Sequence, residues 1–264
     1  MAKFTCNFIS YTLNRAIDIS VVVPSVTMPE IFPGDGNPLT HDKEGKYPVI
    51  YLYHGLGNNH ATWCGYANVE FFAEERNIAV VMISGENKMY INEGMDRFYD
   101  FIEKELPEFY YRLKVKAGLT GYAQVYGKYN TDTYIAGLSM GGCGTFIHGL
   151  NHPERYAALG VFSCGMFLPP DLKTGKKREI EDRFDPEKLV EKLHEQNITK
   201  KIFLACGEED HLYEDCVKTR DKLVEYGHDV TWVSIPGYKH EWRFWNMMIE
   251  QFMDWLPRTD KFLP

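Results

Sequence analysis

Thr131-Asp-Thr-Tyr-Ile-Ala-Gly-Leu-Ser-Met-Gly-Gly142 leads from an apolar, strand-like run directly into a serine between small residues. Its centre is the pattern Gly-x-Ser-x-Gly, in which Gly137 and Gly141 bracket Ser139. A serine in this pattern stands on a tight turn between a strand and a helix, and glycine lets the neighbouring backbone pass closely. The pattern also arises by chance, and a plain strand-to-helix turn is then the alternative. We predict that Ser139 is a nucleophile if an acid and a base follow downstream.

Apolar runs and helix-like segments alternate along the rest of the chain. The first two runs, residues 3–10 and 16–23, have no helix between them and predict an antiparallel pair of strands. We predict further strands at residues 48–54, 78–83, 134–138, 156–163, 201–206 and 229–235. This alternation predicts an α/β protein with a mostly parallel central sheet, antiparallel N-terminal strands and helices on both faces. It favours a single domain over residues 1–264.

Helical spacing fills the segments between the strands. We predict helices at residues 69–76, 98–111, 142–150, 186–194, 211–226 and 242–256. Pro107 predicts a kink or a break in the second of these helices, because proline lacks the amide proton that a helix needs. Asp185 is a candidate N-cap for the helix that follows it. Residues 27–46 and 84–96 are predicted loops, and residues 165–185 are a polar insertion near the expected active site.

The composition argues against several classes of function. The net charge is −8 and no basic stripe offsets it, so we expect no nucleic-acid partner. No apolar run approaches the roughly 18 residues of a membrane span, and the N-terminus lacks the apolar core of a signal peptide. A cytoplasmic protein without a membrane partner is therefore expected, and a homo-oligomer is left open. The six cysteines lack C-x-x-C spacing and are expected to be buried and reduced.

Candidate partners for the serine lie in the loops after two later strands. In a parallel sheet, reactive groups collect at the carboxyl ends of the strands. One of these loops carries an acidic cluster, and the next ends in His240. We predict His240 as the base and Asp210 as the acid, with Glu208 or Glu209 as the alternative acid. The order serine, acid, histidine is that of α/β-hydrolases and not that of the chymotrypsin or subtilisin proteases.

A second glycine-containing turn follows the first central strand. His54-Gly-Leu-Gly57 allows backbone amides to turn toward a common point, as in one half of an oxyanion hole. The other half is the amide of the residue after the nucleophile. We predict that the Leu56 and Met140 amides form this hole. An ordinary turn after a strand is the alternative, and it would be preferred without Ser139.

Four motifs together resemble a known family, the esterase D and tributyrin esterase group of serine esterases. This group includes feruloyl and acetylxylan esterases and S-formylglutathione hydrolase. The motifs in this chain are His54-Gly-Leu-Gly57, Gly137-Leu-Ser-Met-Gly-Gly142, Gly207-Glu-Glu-Asp-His-Leu-Tyr213 and Gly237-Tyr-Lys-His-Glu-Trp-Arg-Phe-Trp245. The resemblance extends from about Tyr11 to the final helix. It implies an α/β-hydrolase fold.

The resemblance also implies an activity and a set of site residues. The activity is that of a serine carboxylesterase that hydrolyses short-chain or small aromatic acyl esters, such as feruloyl esters and acetylated sugars, through an acyl-enzyme. The implied site residues are Ser139, Asp210, His240 and the amides of Leu56 and Met140. This chain departs from the S-formylglutathione hydrolases, which carry a Thr-Cys pair at the position of its Gly57-Asn58.

Candidate substrate contacts are Met89, Phe167 and Trp242, which lie in or near predicted loops. The segment at residues 173–184 is dominated by charge, with Ile180 and Phe184 as its only large apolar residues. An amphipathic lipase lid would present more apolar surface to lipid. We therefore expect activity on short acyl chains.

No cofactor is expected, and the ligand is expected to be a small-molecule ester. A metal site in the cluster Glu208-Glu-Asp-His211 is not expected, because this cluster lacks a second histidine at ligand spacing. Three alternatives stay open: a thioesterase similar to S-formylglutathione hydrolase, an acyltransferase, and a non-catalytic binding protein with a hydrolase fold.

Overall fold

A computed structural model describes residues 1–25, 47–108, 132–170, 174–176 and 178–260. The loop predicted at residues 27–46 lies outside these ranges, as do the last three residues of the helix predicted at 98–111. Within the described ranges, no helix has both the length and the apolar character needed to cross a membrane.

Ten strands are present in the described ranges. They are β1 (Ala2–Ser10), β2 (Arg15–Val23), β3 (Val49–Tyr53), β4 (Ala79–Ile83), β5 (Asn92–Glu93), β6 (Asp96–Arg97), β7 (Thr133–Leu138), β8 (Ala158–Phe162), β9 (Lys201–Gly207) and β10 (Asp229–Ile235). Eight of them form one sheet in the order β1-β2-β4-β3-β7-β8-β9-β10, and β5 pairs with β6 in a separate hairpin. All of the hairpin except Arg97 lies in the segment predicted as a loop at residues 84–96.

Helices connect the parallel strands, and a last helix follows β10. They are α1 (Thr62–Tyr66), α2 (Val69–Glu75), α3 (Phe98–Asp100), α4 (Met140–Asn151), α5 (Pro186–Glu195), α6 (Tyr213–Glu225) and α7 (Trp242–Trp255). A short 3-10 helix (Asp182–Phe184) precedes α5. The amide of Glu187 donates to the Asp185 carboxylate at 3.0 Å, which confirms the predicted cap of α5. The helix α1 was not predicted.

The direction of the strands confirms the predicted α/β architecture. β1 pairs with β2 antiparallel, and β2 pairs with β4 antiparallel. Each remaining neighbour in the main sheet is parallel, from β4 through β3 and β7 to β10. Because parallel strands share one direction, the loops after β3, β7, β9 and β10 meet at one edge of the sheet.

The core is divided between the two faces of this sheet. In β3, Tyr51 and Tyr53 belong to one buried cluster, whereas Ile50 and Leu52 belong to the other. Side chains of a strand alternate between faces, and a strand covered on both faces is apolar throughout. Helices α4 and α5 cover the first face and α2 and α7 the second. This arrangement explains the unbroken apolar run at residues 49–53.

The helix does not break at Pro107, one of the two outcomes predicted there, and a wide helical turn lies just before this proline. A π-helical turn (Phe101–Glu105) follows α3, and the Leu106 amide donates to the Phe101 carbonyl, one residue farther back than in an α-helix. Proline cannot donate the backbone hydrogen bond of a regular helix. Helical backbone continues through Pro107 to Glu108, the last described residue before the gap at 109–131.

Candidate active site

Ser139 occupies a strained turn between β7 and α4. Its φ is 51° and its ψ is −119°, a region that residues with a side chain rarely adopt. The flanking glycines explain how the turn is held. A Cβ on Gly141 would lie 2.5 Å from the carbonyl oxygen of Tyr53, and one on Gly137 would lie 2.4 Å from the backbone of Gly141. Close packing of the turn against β3 therefore requires glycine on both sides of the serine.

Backbone hydrogen bonds also join the segments that follow neighbouring strands of the sheet. The Ser139 amide donates to the Phe162 carbonyl at 2.9 Å, and the Ser163 amide donates to the Ala205 carbonyl at 2.8 Å. These bonds hold the serine turn, the end of β8 and the end of β9 side by side. Since neighbouring strands lie about 4.8 Å apart, the turn and the loop after β9 are separated by roughly 10 Å.

The structure brings His240 together with Asp210. Nδ1 of His240 lies 2.9 Å from Oδ2 and 3.1 Å from Oδ1 of the carboxylate. The Asp210 side chain is fully buried, and that of His240 is 23% exposed. Of the alternative acids, Glu208 is exposed and accepts a hydrogen bond from the Ser234 hydroxyl, and Glu209 is also exposed. Asp210 is therefore the acid that the structure pairs with the histidine.

Asp210 is held by three hydrogen bonds. The Leu212 amide donates to Oδ1 at 2.9 Å, and the Ser163 hydroxyl and the His240 ring also bond to the carboxylate. Burial by itself raises the pKa of Asp210, but these hydrogen bonds outweigh burial and leave the pKa below its ordinary value. The Ser163 hydroxyl accepts a bond from Nε1 of Trp245 at 3.0 Å. Sequence reasoning missed Ser163, whose only signal is its position directly after β8.

The turn after β3 is organised by the His54 ring. Its Nε2 accepts the Gly85 amide proton at 2.9 Å, so Nδ1 carries the ring proton and donates to the Gly55 carbonyl at 2.7 Å. Burial lowers the pKa of His54 to about 4, which keeps the ring neutral. The Tyr90 hydroxyl donates to the His54 carbonyl at 3.0 Å. Both ring nitrogens and the backbone carbonyl of His54 therefore hold the turn in place.

The two amides predicted for the oxyanion hole belong to the serine turn and to the turn after β3. Met140 is the first residue of α4, where an amide has no partner inside its own helix. Leu56 lies in the turn after β3 and is 37% exposed. The next amide, that of Gly57, is engaged by the Asn87 side chain at 2.8 Å, and Gly57 has a φ of 74°. Asn87 therefore restrains the backbone beside Leu56, a contact that sequence reasoning missed.

Two strained residues connect this turn to the helix of the serine. Met89 and Tyr90 have φ values of 54° and 60°. His148 of α4 donates from Nε2 to the Tyr90 carbonyl at 2.9 Å, and its Nδ1 contacts the Glu103 carboxylate. Because both ring nitrogens face acceptors, the ring holds the strained pair in place. Met89 is fully buried, so it offers no surface to a substrate in this structure, contrary to the sequence-based expectation.

Residues 36–254 match the family model described as "Putative esterase". The chain belongs to this esterase family. It is therefore a hydrolase of carboxylic ester bonds, and the resemblance seen in its four motifs is confirmed.

Named relatives and a solved structure are similar over most of the chain. The esterase is 27% identical to an acetyl esterase of Caldicellulosiruptor saccharolyticus, over 98% of this chain and 99% of the relative. It is 25% identical to an endo-1,4-beta-xylanase/feruloyl esterase of Xylanibacter ruminicola, over 79% of this chain and 26% of that protein. The substrate-bound fluorophosphonate-binding serine hydrolase F of Staphylococcus aureus is similar with a TM-score of 0.77 and 22% identity, over 96% of this chain and 97% of that chain. The structural similarity shows the shared fold.

Aromatic side chains extend from His240 of the esterase to its surface. The Trp245 ring lies edge-on to the His240 ring, with centroids 4.9 Å apart. Trp242 contacts Trp245 edge-on at 5.3 Å and stacks on Tyr66 at 5.3 Å. Tyr66 is 66% exposed. Trp242, a predicted substrate contact, is therefore joined to the candidate base through one intervening ring.

Phe167, another predicted substrate contact, is 38% exposed. It borders a cavity of about 400 Å³ between the insertion and α6. The lining residues are Met166, Phe167, Glu187, Asp215, Lys218, Thr219 and Lys222. The candidate serine, acid and histidine are not among them. The cavity therefore does not include the candidate triad.

The polar insertion of the esterase is anchored along its described part. Arg178, only 7% exposed in its side chain, forms an ion pair with Glu93 of the β5–β6 hairpin at 3.1 Å and donates to the Pro169 carbonyl at 3.2 Å. Phe184 is buried and Ile180 packs against the core. Ile180 and Phe184, the large apolar side chains of residues 173–184, therefore point inward.

Proposed function

We propose that Ser139, His240 and Asp210 are the catalytic serine, base and acid of this esterase. The single observation that supports this most strongly is the 2.9 Å hydrogen bond between Nδ1 of His240 and the buried Asp210 carboxylate. It leaves the opposite ring nitrogen, Nε2, on the side away from the carboxylate. A base oriented in this way, at the same edge of the sheet as a serine on a strained turn, is what acyl transfer requires.

In the proposed first step, the Ser139 hydroxyl oxygen attacks the carbonyl carbon of the ester. Its proton passes to Nε2 of His240, and Asp210 stabilises the imidazolium that forms. The Leu56 and Met140 amides donate to the developing oxyanion. The tetrahedral intermediate then collapses, and the alcohol leaves with the proton from His240. The acyl group remains on Ser139.

Water completes the reaction. His240 takes a proton from the water molecule as its oxygen attacks the acyl carbon, and the same amides bind the second oxyanion. The acid product leaves when the proton on His240 returns to the Ser139 oxygen. In each half of this cycle His240 first accepts a proton and then gives it up, and the cycle requires no cofactor.

The proposed substrates are acetyl to butyryl esters and small aromatic esters such as feruloyl esters. The acetyl esterase and feruloyl esterase relatives support this range. The inward packing of Phe184 and the anchored Arg178 also support it, because a lipase lid needs apolar surface that can turn toward lipid. We propose Phe167 and Trp242 as the substrate contacts, since Met89 is fully buried.

The test is a panel of p-nitrophenyl esters from acetate to palmitate, with methyl ferulate and S-formylglutathione alongside. We expect kcat/KM to be greatest between acetate and butyrate, because each added methylene contributes about 0.8 kcal/mol only until the binding site is full. Ser139→Ala is the control and should lower kcat by a factor on the order of 10⁴ to 10⁶.

Two results would contradict the proposal. A maximum at dodecanoate or longer, or activation at an oil-water interface, would exclude the proposed substrate range. A folded Ser139→Ala variant that keeps more than about a tenth of the wild-type activity would exclude the proposed nucleophile.

A further inference from the structure

We propose that Asp210, His211 and His240 form a binding site for a divalent transition metal ion such as Zn²⁺, and that its occupation switches the esterase off. Among the described residues, these three bring one ligand atom each to within 4.8 Å of one another. In the sequence, the acidic cluster at residues 208–211 contains one histidine and lacks a second. The fold supplies it from the loop after β10.

Two of the three distances between the ligand atoms fit a tetrahedral ion, and the third, between the two histidine nitrogens, is within 4.8 Å. Nδ1 of His211 lies 3.4 Å from Oδ1 of Asp210, and Nδ1 of His240 lies 3.1 Å from the same oxygen. Zinc bonds to nitrogen and oxygen are about 2.0 to 2.2 Å long, so two ligands of a tetrahedral ion lie roughly 3.3 Å apart. Two edges of the tetrahedron are therefore already present.

The exposure of the three side chains permits an ion to enter from solvent. The His211 side chain is 69% exposed, that of His240 is 23% exposed, and that of Asp210 is fully buried. The rings of His211 and His240 are tilted by 58° with centroids 4.8 Å apart, so the two imidazoles do not stack face to face. Water can supply the fourth ligand on the exposed side. The net charge of −8 favours the approach of a cation.

The composition of the site indicates the kind of ion. Imidazole nitrogen suits zinc, copper and nickel, whereas magnesium and calcium prefer oxygen ligands only. A site with two imidazoles and one carboxylate therefore favours Zn²⁺ over Mg²⁺. This difference provides a control ion of the same charge.

Metal binding would act on the tautomer of His240. A metal ion on Nδ1 takes the place of the proton shared with Asp210, and the neutral ring then carries its proton on Nε2. In that tautomer Nε2 cannot accept the proton of Ser139, so attack on the ester stops. The inhibition rests on the proposed role of His240, whereas the metal site itself does not.

The first experiment measures hydrolysis of p-nitrophenyl acetate at rising ZnCl₂, with each variant compared with its own activity in EDTA. We expect Zn²⁺ to inhibit the wild type reversibly and MgCl₂ to have no effect. His211→Gln should raise the inhibitory concentration of Zn²⁺ about tenfold or more, because it removes one ligand. His194→Gln, which changes an exposed histidine on α5, should leave the inhibitory concentration as in the wild type.

The second experiment does not depend on activity. We expect the Ser139→Ala variant to bind one Co²⁺ and to develop the visible absorption of a tetrahedral site, without the thiolate charge-transfer band that a cysteine ligand would add. Introducing His211→Gln into this variant should abolish the spectrum. Equal zinc inhibition of His211→Gln and the wild type would overturn the proposal, as would a cobalt spectrum that survives the loss of His211. If Ser139→Ala binds Co²⁺ as described but the wild type hydrolyses no ester, the metal site stands and the proposed function fails.

Discussion

Protonation of His54 should destabilise the esterase in mildly acidic solution. In the folded protein both ring nitrogens are committed, Nε2 as the acceptor for Gly85 and Nδ1 as the donor to Gly55. Adding a proton to Nε2 destroys the first bond and places a charge on a residue that is only 1% exposed. This is why burial lowers the pKa of His54 from 6.5 to about 4.

The size and direction of the effect follow from the two pKa values. Between pH 6.5 and about 4 the unfolded chain binds a proton at this position and the folded protein does not, so folding stability falls as the pH falls. The contribution is complete above pH 6.5 and lost by about pH 4. At about 1.4 kcal/mol for each pH unit, the full loss is about 3 kcal/mol, of which about 2 kcal/mol is gone by pH 5.

The assay is urea unfolding, followed by circular dichroism, at pH 7.5, 6, 5 and 4. The matched variant is His54→Gln, whose amide oxygen can accept the Gly85 proton and does not titrate. We expect it to be less stable than the wild type at pH 7.5 but to lose about 2 kcal/mol less between pH 7.5 and 5. His228, whose pKa burial also lowers to about 4, contributes equally to both proteins. If the free energy of unfolding fell by the same amount with pH in both proteins, the reasoning would be refuted.

Two further predictions concern the acid and the serine turn. Asp210→Asn should lower kcat by a factor of about 10⁴, because an amide favours the wrong histidine tautomer, whereas the exposed Glu209→Gln should keep activity. Loss of activity in Glu209→Gln, with Asp210→Asn active, would move the acid to Glu209. Gly141→Ala should lower the urea midpoint strongly or prevent folding, since its Cβ would lie 2.5 Å from a carbonyl oxygen of β3. Gly65→Ala, where a Cβ meets nothing within 4 Å, should change the midpoint little, and equal midpoints for the two variants would contradict the packing argument.

Local patterns were sufficient for the elements of the central sheet. β3 and β4 are unbroken apolar runs because both faces of the sheet are covered, and that pattern is readable without any coordinates. The pair β1 and β2 lacks a helix between its strands and was correctly predicted as antiparallel. The hairpin of β5 and β6 was missed because each of its strands has only two residues, too few for a period to be recognised.

The residues of the candidate site were predictable from the sequence only in part. Ser139 was found from its glycines, since the close approach of Gly141 to the Tyr53 carbonyl leaves room for no other residue. The residues alone left the acid open among Glu208, Glu209 and Asp210, because consecutive side chains of a loop carry no period. Only the fold decides which of them is buried and which reaches the histidine.

The amino-acid sequence alone therefore determined the α/β architecture, the order of the reactive groups and the position of the serine turn, since each depends on neighbours close along the chain. The supporting contacts depended on the tertiary structure. Ser163 reaches Asp210, Asn87 holds Gly57, and His211 meets His240 across loops that are distant in sequence. The physical reason is that parallel strands gather their carboxyl ends at one edge of the sheet, so residues far apart in the chain become neighbours only after the sheet has formed.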